Sequence, residues 1–290
     1  MPDTFANAKP SIEAALAAAR KSVYSPTELL TFLRGNWKAW DLPKQAKMGE
    51  LLAHLLSEAQ LREVVLRSTS YASERRYIWG SASPYEIALS LRRGAYLSHG
   101  SAVFLHGLTD RIPKTIYLNR EQSPKPSAQG TLTQERIALA FSRPQRTSNY
   151  DFAFERRRIL LVSGKNTNRL EVGTLKGPEG ESLTVTKLER TLIDIAVRPA
   201  YSGGVYQVLE AFRAAKDRAS IAVLLATLKR IDYVYPYNQA IGFLMERAEY
   251  DERLCTRLLS LGANYDFYLV HGMKKTQYDP KWRLFYPEGL

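Results

Sequence analysis

Ser98, His99, Ser101 and His106 are the residues of this sequence that come nearest to a nucleophile with its base. Two histidines seven apart share one face of a helix, and a Ser–His pair in that setting could carry out acyl transfer. Such chemistry also needs an orienting acid and a strained nucleophile turn, and no G-x-S-x-G pattern occurs. Local capping and core packing account for the segment better. Ser163-Gly164-Lys165-Asn166 has the look of a phosphate loop, but Ile159 stands where the first glycine belongs and Asn166 where the hydroxyl belongs. Gly173, Gly177 and Gly180 have the wrong spacing for a dinucleotide fingerprint and read as turns. The single cysteine, Cys255, rules out an internal disulfide and a cysteine-based zinc site, and four histidines make a His-rich metal centre improbable. Glu189, Asp194 and Asp266 are acids available to an enzyme, but Glu189 has a sufficient role as a helix cap. The expectation is a protein without catalytic residues, cofactor or metal.

The chemistry the sequence does offer is contact with phosphate. Forty-one Lys and Arg stand against 29 Asp and Glu over 290 residues, a formal charge of +12, with a pI of about 9.7. A folded basic chain most often meets nucleic acid, although a solvated surface also holds such charge. The first 100 residues carry 13 basic and 9 acidic side chains, and the densest window is 101–150, with 7 and 3. Lys44, Gln45 and Lys47 lie at the start of an apolar-striped helix, with His54 further along, where Gln and Lys can reach base edges or phosphate. Arg67, Ser68, Thr69, Arg75 and Arg76, together with Ser70, lie in and beside a polar turn suited to phosphate oxygens. Arg156-Arg157-Arg158 reads as a solvated strand entry.

These donors require particular elements beneath them. Residues 9–20 read as an Ala-rich helix with Ser11 as N-cap. Ser25-Pro26-Thr27-Glu28 is a capping box with proline at the first helical position, opening a helix that ends at Gly35-Asn36. Met48, Leu51, Leu52, Leu55, Leu56 and Ala59 form one helical stripe. The period then changes: Leu61–Leu66 and Arg75–Trp79 read as a hairpin across a polar turn. Helix, helix and basic hairpin is the layout of a winged helix-turn-helix, whose second helix enters the major groove while the wing touches phosphate. Short helices follow at 84–92 and 98–106, then strands near Thr115–Leu118, Ile159–Val162 and Leu183–Val185. Ser123-Pro124-Lys125-Pro126 is a linker candidate. Thr186-Lys187-Leu188-Glu189 reads as a second capping box. Helices at Val205–Lys216, Ile221–Arg230, Asn238–Ala248 and Glu252–Leu261 precede a strand-like aromatic tail. No window approaches about 18 consecutive apolar residues, and the first residues lack a secretory pattern, so a cytoplasmic location without a membrane partner is expected.

Two segments carry a family resemblance. Gly94-Ala95-Tyr96-Leu97-Ser98-His99-Gly100-Ser101-Ala102-Val103-Phe104-Leu105-His106-Gly107-Leu108 resembles the segment after the winged helix in AbiEi-type antitoxins. Thr186–Asp194, continuing through Arg198-Pro199 and Gly203-Gly204-Val205, resembles the helix start of their C-terminal domain; Tyr235-Pro236-Tyr237 and Tyr265–Leu269 fit a longer subgroup. The likeness covers roughly residues 25–290. It implies an antitoxin of a bacterial type IV toxin–antitoxin system, the antidote to a nucleotidyltransferase-like toxin. Such a protein represses its own operon by binding double-stranded promoter DNA, with self-association on DNA possible.

The expected fold class is α+β: an N-terminal winged helix-turn-helix over 1–95 and a mixed, largely helical domain over 96–290. In the latter, strands fall at about 115–186 and helices at about 187–261. The alternative is a stand-alone winged-helix transcriptional regulator whose C-terminal domain senses a ligand or partner. A third reading is an enzyme, a nuclease or a kinase acting on the toxin.

Overall fold

The computed structural model describes residues 2–124 and 131–290, and its contacts divide them into two units. The first is Met1–Arg93 with Tyr150–Ile159, the second Gly94–Asn149 with Leu160–Leu290. Lys125 and Pro126 of the linker candidate lie outside the described residues.

In the first unit, helix α1 spans Pro2–Ala18, earlier than Ser11 implies, and runs through Pro10. Its burial explains the difference. Phe5, Ala8, Ile12 and Leu16 point into the core at helical spacing, while Pro10 faces solvent. Strand β1 is Val23–Tyr24. The box at Ser25 forms as expected: Ser25 Oγ accepts from Glu28 N and the Glu28 carboxylate accepts from Ser25 N, opening α2, Pro26–Asn36. Helix α3, Met48–Glu58, buries Leu51 and Leu55 against Leu29, Leu33, Trp40 and Leu42. The hairpin also forms. Strands β2 (Leu61–Leu66) and β3 (Glu74–Trp79) pair antiparallel from Leu61↔Trp79 to Leu66↔Glu74, and β1 completes the order β1-β3-β2. Helix α4, Pro84–Leu89, opens on another capping box, Ser83 with Glu86.

The second unit begins with β4 (Tyr96–Leu97), α5 (His99–Leu105), β5 (Thr115–Glu121) and α6 (Gln134–Ser142). After β6 (Asp151–Phe154) come β7 (Arg157–Gly164), β8 (Val172–Lys176) and β9 (Ser182–Thr186). The second unit's sheet runs β7-β5-β4-β9-β8, with β4 parallel to β9 and antiparallel to β5. Five helices follow: α7 (Leu188–Val197), α8 (Val205–Ala215), α9 (Ile221–Ile231), α10 (Tyr237–Arg247) and α11 (Glu252–Leu259). The aromatic tail supplies β10 (Phe267–Tyr268), β11 (Thr276–Asp279) and β12 (Leu284–Pro287), in the order β10-β12-β11. The chain is therefore mixed α+β.

The second expected capping box does not form. Lys187 is the N-cap of α7 and caps with no side chain. Thr186 is committed to the sheet, paired with Val172, and its hydroxyl meets that of Thr191 at 2.9 Å. The Glu189 carboxylate instead accepts from Ser220 N at 2.8 Å, at the N-cap of α9. The same acid serves a different helix start.

Helix α10 is buried on nearly every side, and two of its residues anchor the tail. Gly242 lets the Trp282 ring lie directly on the helix; a Cβ there would stand 2.0 Å from the ring. Gln239 Nε2 donates to the carbonyls of Tyr265 at 2.8 Å and Trp282 at 2.7 Å. A buried amide that satisfies backbone carbonyls from two tail segments fixes their register.

Candidate functional site

In the first unit, Lys44 and Gln45 occupy the turn before α3, and Lys47 is its N-cap; all three are exposed. The start of a helix carries partial positive charge from unpaired N–H groups, so these side chains reinforce an existing field. The remainder of α3 adds no cation to the exposed face, where Glu50 and Glu58 stand. His54 packs against Phe5, ring centroids 5.8 Å apart, instead of reaching outwards.

At the hairpin, Arg67 and Thr69 are exposed. Ser68 Oγ accepts from Ser70 N at 3.3 Å and Tyr71 N at 3.1 Å, so its hydroxyl shapes the turn. The turn is tied at its base and tip. Arg67 and Ala153 exchange both backbone hydrogen bonds, at 3.0 and 2.6 Å, and the Tyr71 ring lies 4.1 Å from that of Tyr150. Arg75 is exposed and lies 3.3 Å from Glu63. Arg76 requires correction as a phosphate donor. It is 5% exposed, with its guanidinium on Glu74 at 2.8 Å, Ser90 Oγ at 3.0 Å and the Arg75 carbonyl at 2.7 Å. Glu74 also holds Arg92 at 2.5 Å. Along β3, side chains alternate between faces, so Arg75 and Arg76 leave the strand on opposite sides; Arg75 is exposed, whereas Arg76 is packed on Ser90.

The second unit contains a cleft of about 720 Å³ that the sequence reading missed. Arg136 of α6, Arg143 and Arg146 of the following loop, Lys165 after β7, and Arg190 and Arg198 at α7 all line it; Asp194 is the one carboxylate among the lining residues. Asp194 is already spent on Arg190, at 2.8 Å. Burial opposes the Arg190 charge, yet Asp194, Tyr233 and Tyr96 outweigh it and raise its pKa; burial also draws Asp194 upward, countered by Arg190. His99, at the inner wall, has its pKa pushed down to about 3, first by burial and then by Arg198 and Arg190. Three of these arginines lie within the 101–150 window of densest positive charge, the one available signal. Lys165 belongs to the rejected phosphate-loop pattern, and its ammonium bonds the Ile231 carbonyl at 2.6 Å, at the end of α9.

The Ser–His geometry does not make a nucleophile. Ser98 Oγ lies 2.8 Å from His99 Nδ1, but Ser98 is fully buried and the His99 ring meets Tyr201 edge-on at 5.3 Å. His106 is turned elsewhere, its Nε2 2.7 Å from the Thr186 carbonyl. Cys255 is buried on α11, and burial raises its thiol to about 11, as a packing residue requires. Among the described residues there is no group of three potential metal-ligating His, Cys, Asp or Glu. No described helix is long and apolar enough to cross a membrane.

No family model matches the chain, and no curated protein matches it in sequence. Among solved structures it is similar to the RV2827C protein from Mycobacterium tuberculosis, with a TM-score of 0.54 and 13% identity over 95% of this chain and 89% of that one. At that identity the likeness is one of fold.

Proposed function

We propose that the protein is a DNA-binding repressor that also serves as the antidote to a nucleotidyltransferase-like toxin. The observation that carries the DNA half is the order α2, α3, β2–β3 hairpin with β1 closing the sheet, the succession of a winged helix. Exposed cationic or polar groups stand at both places such a module uses. Lys44, Gln45 and Lys47 would enter the major groove; Arg67, Thr69 and Arg75 would meet phosphate, while Ser68 holds the turn. Arg76 drops out of the contact set. The antidote half rests on the resemblance of residues 94–108 and 186–194 to AbiEi-type antitoxins.

A mobility-shift titration of the full chain on its own promoter, repeated across salt concentrations, tests the first half. Specific binding with a steep salt slope is expected; absence of salt-dependent binding removes the repressor role. Co-expression with the adjacent reading frame, scored by growth, tests the second. A ligand-sensing regulator is the second reading, and the cationic cleft favours it: there, a small molecule would change DNA affinity and the neighbouring gene would not be toxic.

A further inference from the structure

We propose that the cleft of the second unit binds a small polyphosphorylated molecule, held chiefly by Arg143, Arg146 and Arg198. This inference goes beyond the DNA-binding reading and involves none of its residues.

Charge comes first. Six cationic side chains converge on one concavity that offers a single carboxylate, itself engaged by Arg190. A cleft walled by one sign of charge focuses its field and gathers counter-ions. Among the described residues, no carboxylate lies within ion-pair distance of Arg136, Arg143, Arg146, Lys165 or Arg198, and the side chains of Arg143 and Arg146 have no hydrogen-bond partner. Arg136 spends one N–H on the Thr131 carbonyl at 3.1 Å, and Arg198 one on the Arg146 carbonyl at 3.4 Å. Several guanidinium donors are thus left for a ligand, and guanidinium is the group that matches phosphate oxygens two at a time.

Position comes second. The cationic loop is attached to rigid neighbours. Gln145 Nε2 donates to the Val197 carbonyl at 3.4 Å, Gly272 N to the Phe141 carbonyl at 2.7 Å, and His271 stacks on Phe141 at 4.1 Å. The backbone that carries Arg143 and Arg146 is thereby held in place, so the cost of binding falls on ordering the arginine side chains alone. Size comes third. About 720 Å³ lies within the usual range for small-molecule sites, roughly 300–1,000 Å³. It leaves room beyond the phosphates for a ring against Tyr235 and His271, which also line the cleft.

The test is calorimetric titration of the full-length protein with tripolyphosphate and with ATP, GTP, CTP and UTP. Saturable binding that weakens with salt is expected for at least one probe. It should fall about tenfold or more in Arg143→Ala/Arg146→Ala, since hydrogen bonds to charged groups commonly carry that much each. Both arginines are exposed, so the variant keeps its fold, which its Tm checks; Arg230→Ala, an exposed charge outside the cleft, leaves binding unchanged. Tighter binding of a nucleoside triphosphate than of tripolyphosphate assigns the ring wall as well, and equal binding assigns the phosphates alone. The proposal is overturned by no saturable binding of any probe, or by binding that survives the double substitution. It is also overturned by a single-stranded 12-mer that outcompetes every small probe and loses affinity in the same variant.

Discussion

Arg190 and Asp194 sit one helical turn apart on α7 and pair at 2.8 Å with both side chains shielded from water. Arg190 also donates to Thr167 Oγ1 at 3.1 Å and the Leu170 carbonyl at 3.0 Å, joining α7 to the segment between β7 and β8. The pair is built into the wall of the cationic cleft, and it cancels within itself.

Breaking that pair from one side leaves an uncompensated charge in a poorly hydrated place. Asp194→Asn is expected to cost about 3–5 kcal/mol, and Arg190→Met a similar amount. The joint Arg190→Met/Asp194→Asn protein should lose clearly less than the sum. Urea denaturation of the four proteins measures this; strict additivity would show that the two charges are independent.

Adjacent arginines in β3 should separate stability from binding. Arg76→Ala removes a buried network on Glu74 and Ser90 and is expected to destabilise the protein by about 2–4 kcal/mol. Arg75→Ala should stay within about 0.5 kcal/mol, because its pairing with Glu63 is exposed. On promoter DNA, Arg67→Ala and Arg75→Ala should each lower the log–log salt slope by about 0.9. Unaltered slopes in both would take the hairpin off the DNA.

Gly242→Ala places a methyl group where the Trp282 ring lies. Either the ring leaves its seat or the helix moves, and the expected loss is about 1–3 kcal/mol. Trp282→Ala creates a cavity instead and should cost about 3–5 kcal/mol. Paired with Gly242→Ala, the smaller residue makes room for the methyl, so the double variant should be more stable than additivity predicts. Thermal unfolding of the three variants decides it.

His99 supplies a pH signature. Its folded pKa, about 3, lies below the ordinary value near 6.5, so the unfolded chain takes up the proton first. The stabilisation from keeping this ring neutral is full above about pH 6.5 and is lost as pH falls towards 3, at no more than about 1.4 kcal/mol per pH unit. His99→Gln should flatten that part of the stability profile, whatever it does to the plateau. A slope between pH 6.5 and 4 that matches the parent's would mean that His99 is ionised in the folded protein.

Much of the secondary structure was legible because it depends on neighbours in sequence. The Ser25 box, the Met48–Ala59 stripe and the β-formers of Leu61–Leu66 are local patterns, and each forms. Helix α1 was misplaced because its apolar stripe (Phe5, Ala8, Ile12, Leu16) is thin among alanines, and its start depends on docking beside His54. Helix α6 went unread, although Ile137 and Phe141 lie four apart, because nine residues are too short a window for a helical period to stand out. The Thr186 box failed because a sheet and a helix compete for one threonine. The cleft was illegible for another reason: its cations come from positions 136 to 198, and only the folded chain brings Lys165 to Arg143 and Arg198. Placing Arg76 on phosphate missed its contact with Ser90, which lies beyond the hairpin in sequence and meets it only in the fold.

The mutual hydrogen bonds of Arg67 and Ala153, with Tyr71 resting on Tyr150, also set the order of events during synthesis. The first unit is not finished when residue 93 leaves the ribosome, because the hairpin turn takes its support from a segment more than 50 residues further on. At about 5–20 residues per second, that partner follows several seconds later. Until then the nascent hairpin has an open base, and a chain cut short at residue 93 keeps that condition permanently. Fragments intended to isolate the hairpin's activity should therefore retain Tyr150–Ile159, supplied in cis through a spliced linker or in trans as a peptide.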